Sequence, residues 1–180
     1  RSIWTPYSSS NYGISSVDVA APGTNIYSCR PARQHVWSDN FESGLGGWSA
    51  TKVSGKAWGL TTVVSFSPSN SLTARQPPPD TTSINNTESW AITPVLNLSS
   101  YNGAKLEFKL RGISESSFDR LYVKRSPDGS SWTDQDILIG STVYDAISGT
   151  SSVNWLSASV DLWAYDGSST VYIRFYFLTD

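Results

Sequence analysis

Short runs of alternating apolar and polar residues recur along most of this chain. In KLEFKLRGI (residues 105–113) every second residue is apolar, and charged residues occupy most of the positions between them. RLYVKRS (120–126) repeats the pattern with Leu121 and Val123. A period of two residues is typical of a strand with one buried and one exposed face. Both segments are therefore predicted to be half-buried strands.

Turn residues separate these runs. SPDGSSW (126–132) contains a Pro-Asp-Gly turn that predicts a tight hairpin between two antiparallel strands. SSVNWLSASVDLW (151–163) and STVYIRFYFL (169–178) supply two further strands on either side of an Asp-Gly turn. No segment after Val36 shows a sustained helical period of about 3.6 residues. This region is predicted to be an all-β sandwich of about eight or more antiparallel strands.

The first part of the chain has a different character. Residues 1–35 are rich in Ser, Pro and Gly, and their strand-like run VDVAA (17–21) is closed by Pro22 and Gly23. CRPARQH (29–35) has no apolar period and contains a proline and two arginines, which is typical of a linker. We therefore place a domain boundary near Val36, with a short irregular segment before it.

Composition narrows the possible partners. Hydrophobic residues make up 38% of the chain and charged residues 16%, a balance that suits a Ser- and Thr-rich β protein. The formal net charge is −2, and the 13 Lys and Arg residues are scattered, so we expect no nucleic acid partner. No apolar run approaches the length of about 20 residues that crosses a bilayer, so we expect no membrane partner.

A short stretch before the boundary carries a family resemblance. SSNYG followed by VDVAAPGTNIYS resembles subtilisin-like serine peptidases over residues 9–28, in the region shortly before their catalytic serine. In that family the triad runs Asp, His, Ser, and the serine opens a helix in a Gly-Thr-Ser-Met-Ala-like stretch. Here CRPARQHVW follows Ser28 instead. The resemblance implies that residues 1–35 are a stub of a secreted serine endopeptidase plus a linker, and that this chain is not itself an enzyme.

Two residues imitate parts of a peptidase site. Ser151 follows Gly149 and Thr150, as in a nucleophile motif, but a strand-like run comes next instead of a helix start. We predict that Ser151 lies in a turn that leads into a strand. His35 is the sole histidine, and it lies in the apparent linker, after the wrong segment for the order of the family's triad, so we interpret it as a solvated linker residue.

The rest of the chain carries a second resemblance, which begins at WSDNFESGLGGW (37–48). Residues 36–180 resemble the jelly-roll accessory modules of exported bacterial peptidases, which are related to MAM domains and to the modules of immune-inhibitor-A-like proteins. The resemblance implies a module for binding, substrate targeting or stabilisation, with the parent peptidase domain as one partner. It also implies a further closing strand after Asp180. Whether the module is inserted into the peptidase domain or appended to it stays open. The other matching pieces are SNSLTA (69–74), TESWAITPVLNLSS (87–100), FDRLYVKRSPDGSSWT (118–133) and the segment 155–180.

The second resemblance also implies a metal site. In the related modules a cation often links the first strand to a later loop, and Asp39, Glu42 and Asp119 fall on the matching pieces. Calcium prefers carboxylate and carbonyl oxygens, so these three residues form a candidate calcium site. The alternative is that Asp39 and Glu42 are turn and edge residues, that Asp119 caps a strand, and that no cofactor binds.

Aromatic residues suggest a second function, that of a carbohydrate-binding module in an extracellular enzyme. Exposed Trp and Tyr rings can stack on sugars, and jelly rolls include many such modules. Trp163 and Tyr165 lie just before a turn, so we predict that they form an exposed ligand-binding pair. A protein ligand and a hydrolase with an unrecognised site are further alternatives. Strand tryptophans are more often core residues, and the other tryptophans considered as ligand contacts are Trp48, Trp58, Trp132 and Trp155.

Overall fold

The computed structural model describes residues 34–74, 85–112, 114–149 and 152–180, and this part of the chain is built from antiparallel strands. The prediction of an all-β protein is confirmed. The peptidase-like residues 9–28 and the strand-like run 17–21 lie outside the described residues. The strands are β1 (Ser49–Ser54), β2 (Gly59–Thr61), β3 (Ser71–Thr73), β4 (Glu88–Ile92), β5 (Lys105–Gly112), β6 (Arg120–Ser126), β7 (Thr133–Gln135), β8 (Ile137–Ile139), β9 (Thr142–Tyr144), β10 (Ser152–Asp161) and β11 (Tyr172–Leu178), with one 3₁₀ turn at Trp163–Tyr165.

The strands are arranged in a five-stranded sheet, a four-stranded sheet and a small two-stranded sheet. The five-stranded sheet has the order β1-β4-β11-β6-β7, and the four-stranded sheet has the order β5-β10-β8-β9. The predicted hairpin is confirmed, because β6 pairs antiparallel with β7 and places Val123 opposite Gln135. The chain crosses between the two large sheets four times, after β4, β5, β7 and β10, so the two sheets form together.

The two large sheets pack face to face around an apolar core. Val123 on β6 and Ile173 on β11 are fully buried, and Val160 on β10 is almost so. The ring of Phe108 on β5 meets the ring of Phe175 on β11 edge to face, with centroids 5.2 Å apart, a geometry that aromatic pairs favour. The apolar rows of the predicted strands therefore face the core, which gives the β-sandwich its interior.

Tryptophan and tyrosine surround this core and do not fill it. Among the described residues, the largest fully buried apolar side chains are Ile and Val, so the tryptophan and tyrosine rings lie at the edges of the core. A large ring with one polar atom is accommodated more readily at the margin, where that atom can reach water or a partner. The partly buried rings of this kind that pack against the core are those of Trp37, Trp48, Trp58 and Tyr165.

Residues His35–Asp180 form one compact unit, which contains the predicted module of residues 36–180. In the described ranges, no helix has the length and apolar character needed to span a membrane.

The 3₁₀ turn is held in place by the carboxylate of Asp166. Its Oδ2 accepts a hydrogen bond from the backbone N–H of Gly103 at 2.6 Å, and its Oδ1 accepts one from Ala104 at 3.0 Å. The backbone N–H of Leu162 donates to the carbonyl of Ala104 at 2.9 Å. These bonds tie the turn to the loop before β5 and so fix the position of Trp163.

Candidate ligand-binding site

A cleft of about 370 Å³ opens at the corner where the chain passes from β7 to β8. This volume is within the range of small-molecule sites. The walls combine apolar surface from Leu138 and Val143 with polar groups. Carboxylates come from Asp134, Asp136 and Asp161, and other polar groups come from Arg125, Gln135 and Ser159. The indole of Trp163 also lines the cleft, so an aromatic ring lies close to several groups that can exchange hydrogen bonds with a ligand.

Trp163 is the most exposed large apolar side chain of the described residues, with 68% of its surface accessible. The predicted exposure of Trp163 is therefore confirmed. An exposed indole can pack against the apolar face of a ligand ring, while nearby carboxylates accept hydrogen bonds from hydroxyl groups. The cleft has the chemistry of a site for a polyhydroxylated or polar ligand.

Tyr165 has a different position from Trp163. It is half-buried and packs against the core. The guanidinium carbon of Arg125 lies 4.7 Å from its ring centroid, a cation–π distance. The prediction that Tyr165 is the exposed partner of Trp163 is wrong, because Arg125 covers its ring. Since Arg125 lines the cleft, the ring of Tyr165 positions a cation beside the three carboxylates.

The other candidate tryptophans are not in the cleft lining. Trp48 and Trp58 pack against the core, and Trp155 is half-buried with its ring 6.1 Å from that of Phe66. Trp132 lies on the outer face of the five-stranded sheet, beside Arg174.

Of the two residues that imitate a peptidase site, the structure describes only His35. His35 is exposed. Ser151 lies outside the described residues, so its position in a turn stays a prediction.

The structure does not gather the three predicted calcium ligands into one cluster. Within the described ranges, no group of three or more His, Cys, Asp or Glu side chains is placed to hold a metal ion. The Oδ1 of Asp39 accepts a hydrogen bond from the backbone of Phe41 at 2.7 Å, and its Oδ2 accepts one from Nε1 of Trp48 at 3.0 Å. A calcium site that joins Asp39 to Glu42 and Asp119 stays a prediction.

Glu42 and Asp119 each bind their own neighbours. Oε1 of Glu42 accepts hydrogen bonds from the backbone of Ser69 at 3.1 Å and of Asn70 at 2.8 Å, and its Oε2 accepts one from the Asn70 side chain at 3.1 Å. The bond from the Asn70 backbone is the main cause of a lowered pKa for Glu42. The buried Asp119 accepts a hydrogen bond from the backbone of Glu115 at 2.9 Å. These roles are those of turn and cap residues.

Sequence reasoning missed a second surface, on the outer face of the five-stranded sheet. Trp90 on β4 lies opposite Tyr176 on β11, and Tyr176 lies opposite Tyr122 on β6. The ring centroids are 6.0 Å apart in the first pair and 6.1 Å apart in the second. The cations of Lys124 and Arg174 and the indole of Trp132 lie beside this row of rings. We define the aromatic face as Trp90, Tyr122, Lys124, Trp132, Arg174 and Tyr176.

Electrostatic contacts order the middle of the aromatic face. The Nζ of Lys124 lies 5.1 Å from the ring centroid of Tyr122 and 5.0 Å from that of Tyr176, and it forms a salt bridge with Asp134. The hydroxyl of Tyr176 donates a hydrogen bond to Oε1 of Glu88 at 2.8 Å. Burial, followed by this bond to a carboxylate, raises the pKa of Tyr176 to about 12. Tyr176 is therefore neutral and anchored at physiological pH.

No protein-family model matches this chain, and no curated protein matches it. The cleft and the aromatic face are therefore the features from which a function is inferred.

Proposed function

We propose that residues 36–180 act as a non-catalytic accessory module of a secreted subtilisin-like serine endopeptidase, and that the module holds its ligand in the cleft beside Trp163. The resemblance of residues 9–28 to that family supports the proposal that the parent protein is a subtilisin-like peptidase. The observation that carries the ligand site is the exposed indole of Trp163 on the wall of a cleft of about 370 Å³. Such a module serves to bind or target the substrate of its parent.

A carbohydrate ligand is the second candidate, in which case the chain is a carbohydrate-binding module of an extracellular enzyme. The chemistry of the cleft favours it, because Trp163 offers a face for a sugar ring. Asp136 and Asp161 offer acceptors for hydroxyl groups, and Arg125 offers donors. A protein ligand uses the same groups through its own polar side chains.

Affinity electrophoresis of the whole chain tests the ligand site. Native gels contain entrapped casein, gelatin, a neutral β-glucan or xylan, and the unaltered chain is compared with a Trp163→Ala variant. We expect retardation in at least one gel and an affinity reduced about tenfold or more by Trp163→Ala, since that change removes most of the stacking surface. Phe118→Ala is the matched control, because Phe118 is also exposed and does not line the cleft.

The outcomes separate the two candidate functions. Retardation only in the protein gels supports substrate targeting, and retardation only in the polysaccharide gels supports a carbohydrate-binding module. Migration that no polymer retards, or retardation that Trp163→Ala leaves unchanged, overturns the cleft as the ligand site. Incubation of the chain with labelled casein tests the proposal that the module is non-catalytic. Release of label faster than in buffer alone would contradict it.

A further inference from the structure

Arg174 is a half-buried cation on the aromatic face that forms no salt bridge within the described residues, although the carboxylates of Asp134 and Glu88 lie near enough to act on its pKa. Its Nε is buried and has no hydrogen-bond acceptor there. The neighbouring Asp134 forms its salt bridge with Lys124 instead. Burial is the main cause of a lowered pKa for Arg174, although a guanidinium remains charged at neutral pH. A partly desolvated cation with a buried, unpaired donor is costly by itself, and an anionic group at the outer edge of the guanidinium offsets part of the desolvation cost.

Aromatic rings hold the guanidinium of Arg174 in place. Its central carbon lies 4.3 Å from the ring centroid of Trp132 and 5.3 Å from those of Trp90 and Tyr176. Such cation–π contacts restrict the side chain and engage its flat faces, and they leave its N–H edges to make hydrogen bonds. An ordered guanidinium edge matches the two oxygens of a carboxylate, which it can bind through two parallel hydrogen bonds.

We propose that the aromatic face binds an acidic polysaccharide, in which Arg174 holds the carboxylate of a uronic acid and the neighbouring rings pack against the sugar faces. The ligand is assigned by charge complementarity to Arg174 and by the aromatic surface on each side of it. The cleft beside Trp163 is a different surface, so this proposal holds whether or not the cleft binds a ligand.

The place of the aromatic face in the sheet favours a glycan over an acidic peptide. An extended peptide gains much of its affinity from main-chain hydrogen bonds to a sheet edge. The strands that carry Trp90, Arg174 and Tyr122 are β4, β11 and β6, and each of them is paired on both sides. Their backbone groups are already used, so the ligand is bound by side chains alone.

Isothermal titration of the whole chain tests the proposal with four probes: polygalacturonate fragments, the same fragments after methyl esterification, dextran, and poly-L-glutamate. We expect binding of polygalacturonate that falls about tenfold or more when its carboxylates are esterified, because the ester has no charge for the guanidinium. Arg174→Gln should cause a loss of similar size. Arg111→Gln is the matched control, since Arg111 is an exposed cation on β5 of the other sheet and should leave the affinity unchanged.

The measurements distinguish a variant that has lost binding from one that has lost its fold. Circular dichroism and urea unfolding show whether Arg174→Gln is folded, and the comparison of acid with ester uses the unaltered chain and does not depend on any variant. Equal affinity for acid and ester, or unchanged affinity in folded Arg174→Gln, overturns the role of Arg174. Poly-L-glutamate binding as tight as that of polygalacturonate overturns the glycan in favour of an acidic peptide. Absence of binding to all four probes overturns the proposal. Polygalacturonate binding that Trp163→Ala abolishes and folded Arg174→Gln leaves intact would assign the acidic glycan to the cleft and overturn the aromatic face as its site.

Discussion

The indole Nε1 of Trp48 donates a hydrogen bond to Oδ2 of Asp39 at 3.0 Å, across the loop that leads into β1. The other oxygen of Asp39 accepts a bond from the backbone of Phe41. The ring of Trp48 packs in turn against Phe175 of the core, with centroids 5.9 Å apart. One carboxylate therefore fixes the entry of the chain into the sandwich, at a place where the sequence suggested a cation.

Replacement of Asp39 should destabilise the fold, and alanine should destabilise it more than asparagine. Asp39→Ala leaves the partly buried indole N–H and the Phe41 N–H without an acceptor, so we expect a loss of about 1–3 kcal/mol in the free energy of unfolding. Asp39→Asn keeps one acceptor oxygen and should lose less. Urea unfolding measures both variants. Equal losses would contradict the expectation that the remaining amide oxygen still satisfies one of the two donors.

Removal of divalent ions should leave the thermal midpoint of the unaltered chain unchanged. The reason is that Asp39 and Glu42 already accept hydrogen bonds from the protein itself on both of their oxygens. Melting is followed with EDTA and with added calcium. A midpoint that falls with EDTA and recovers with calcium would instead establish the calcium site predicted from the sequence.

Gly55 is expected to tolerate no side chain. Its φ is +67°, and a Cβ there would lie 2.0 Å from Oγ1 of Thr87, which is fully buried. Gly140 has a similar φ of +61° with nothing within 4 Å of that position. Gly140→Ala should cost about 1–2 kcal/mol from backbone strain alone. Gly55→Ala should cost about 1–3 kcal/mol more, because the overlap forces the buried Thr87 to move. Equal midpoints for the two variants in urea would contradict the close approach.

The alternating pattern predicted those features of the fold that depend on residues close together in the sequence. Alternation in KLEFKLRGI places Leu106, Phe108 and Leu110 on the core side of β5, and the structure confirms it. The same pattern does not name the partner of β5. That partner is β10, where Ala158 lies opposite Phe108 across a long stretch of sequence. Pairings of this kind depend on long-range contacts, which local periodicity does not encode.

The aromatic face was missed for a related reason. In YIRFYFL, Arg174 and Tyr176 occupy the positions that alternate with buried Ile173 and Phe175, so each one reads singly as an ordinary exposed residue. Their grouping with Trp90 depends on the register between β4 and β11. The exposure of Trp163 was predictable because it follows from a local turn.

Asp128 should make the fold sensitive to acid. In the hairpin between β6 and β7, its Oδ1 accepts hydrogen bonds from the backbone of Ser130 at 2.8 Å and of Ser131 at 2.7 Å, and from the hydroxyl of Ser126 at 2.9 Å. These bonds, with the one from the Ser131 backbone first, hold the pKa of Asp128 well below its ordinary value.

A lowered pKa in the folded state means that the stabilisation by Asp128 is present above its unfolded pKa of about 4 and is lost as the pH falls below it. Asp128→Asn should therefore be less stable than the unaltered chain at about pH 6, and the difference should shrink below about pH 3. Urea midpoints across this range measure it, with Asp136→Asn, a change at an exposed aspartate outside the hairpin, as the control. A difference that does not change with pH would contradict the role of the charge.

Tyr176 should make the fold sensitive to alkali. Burial and the hydrogen bond to Glu88 raise its folded pKa to about 12, whereas an unfolded tyrosine ionises near pH 10. A raised pKa means that this contribution is fully present below about pH 10 and is lost as the pH rises toward the folded value, because the unfolded chain releases its proton first.

Tyr176→Phe removes the ionising group, so its urea midpoint should fall less between about pH 9 and pH 11 than that of the unaltered chain. Tyr144→Phe is the control, since Tyr144 is exposed on β9. Parallel alkaline curves for Tyr176→Phe and the unaltered chain would show that the Tyr176 hydroxyl is not held by Glu88 and would remove this anchor from the aromatic face.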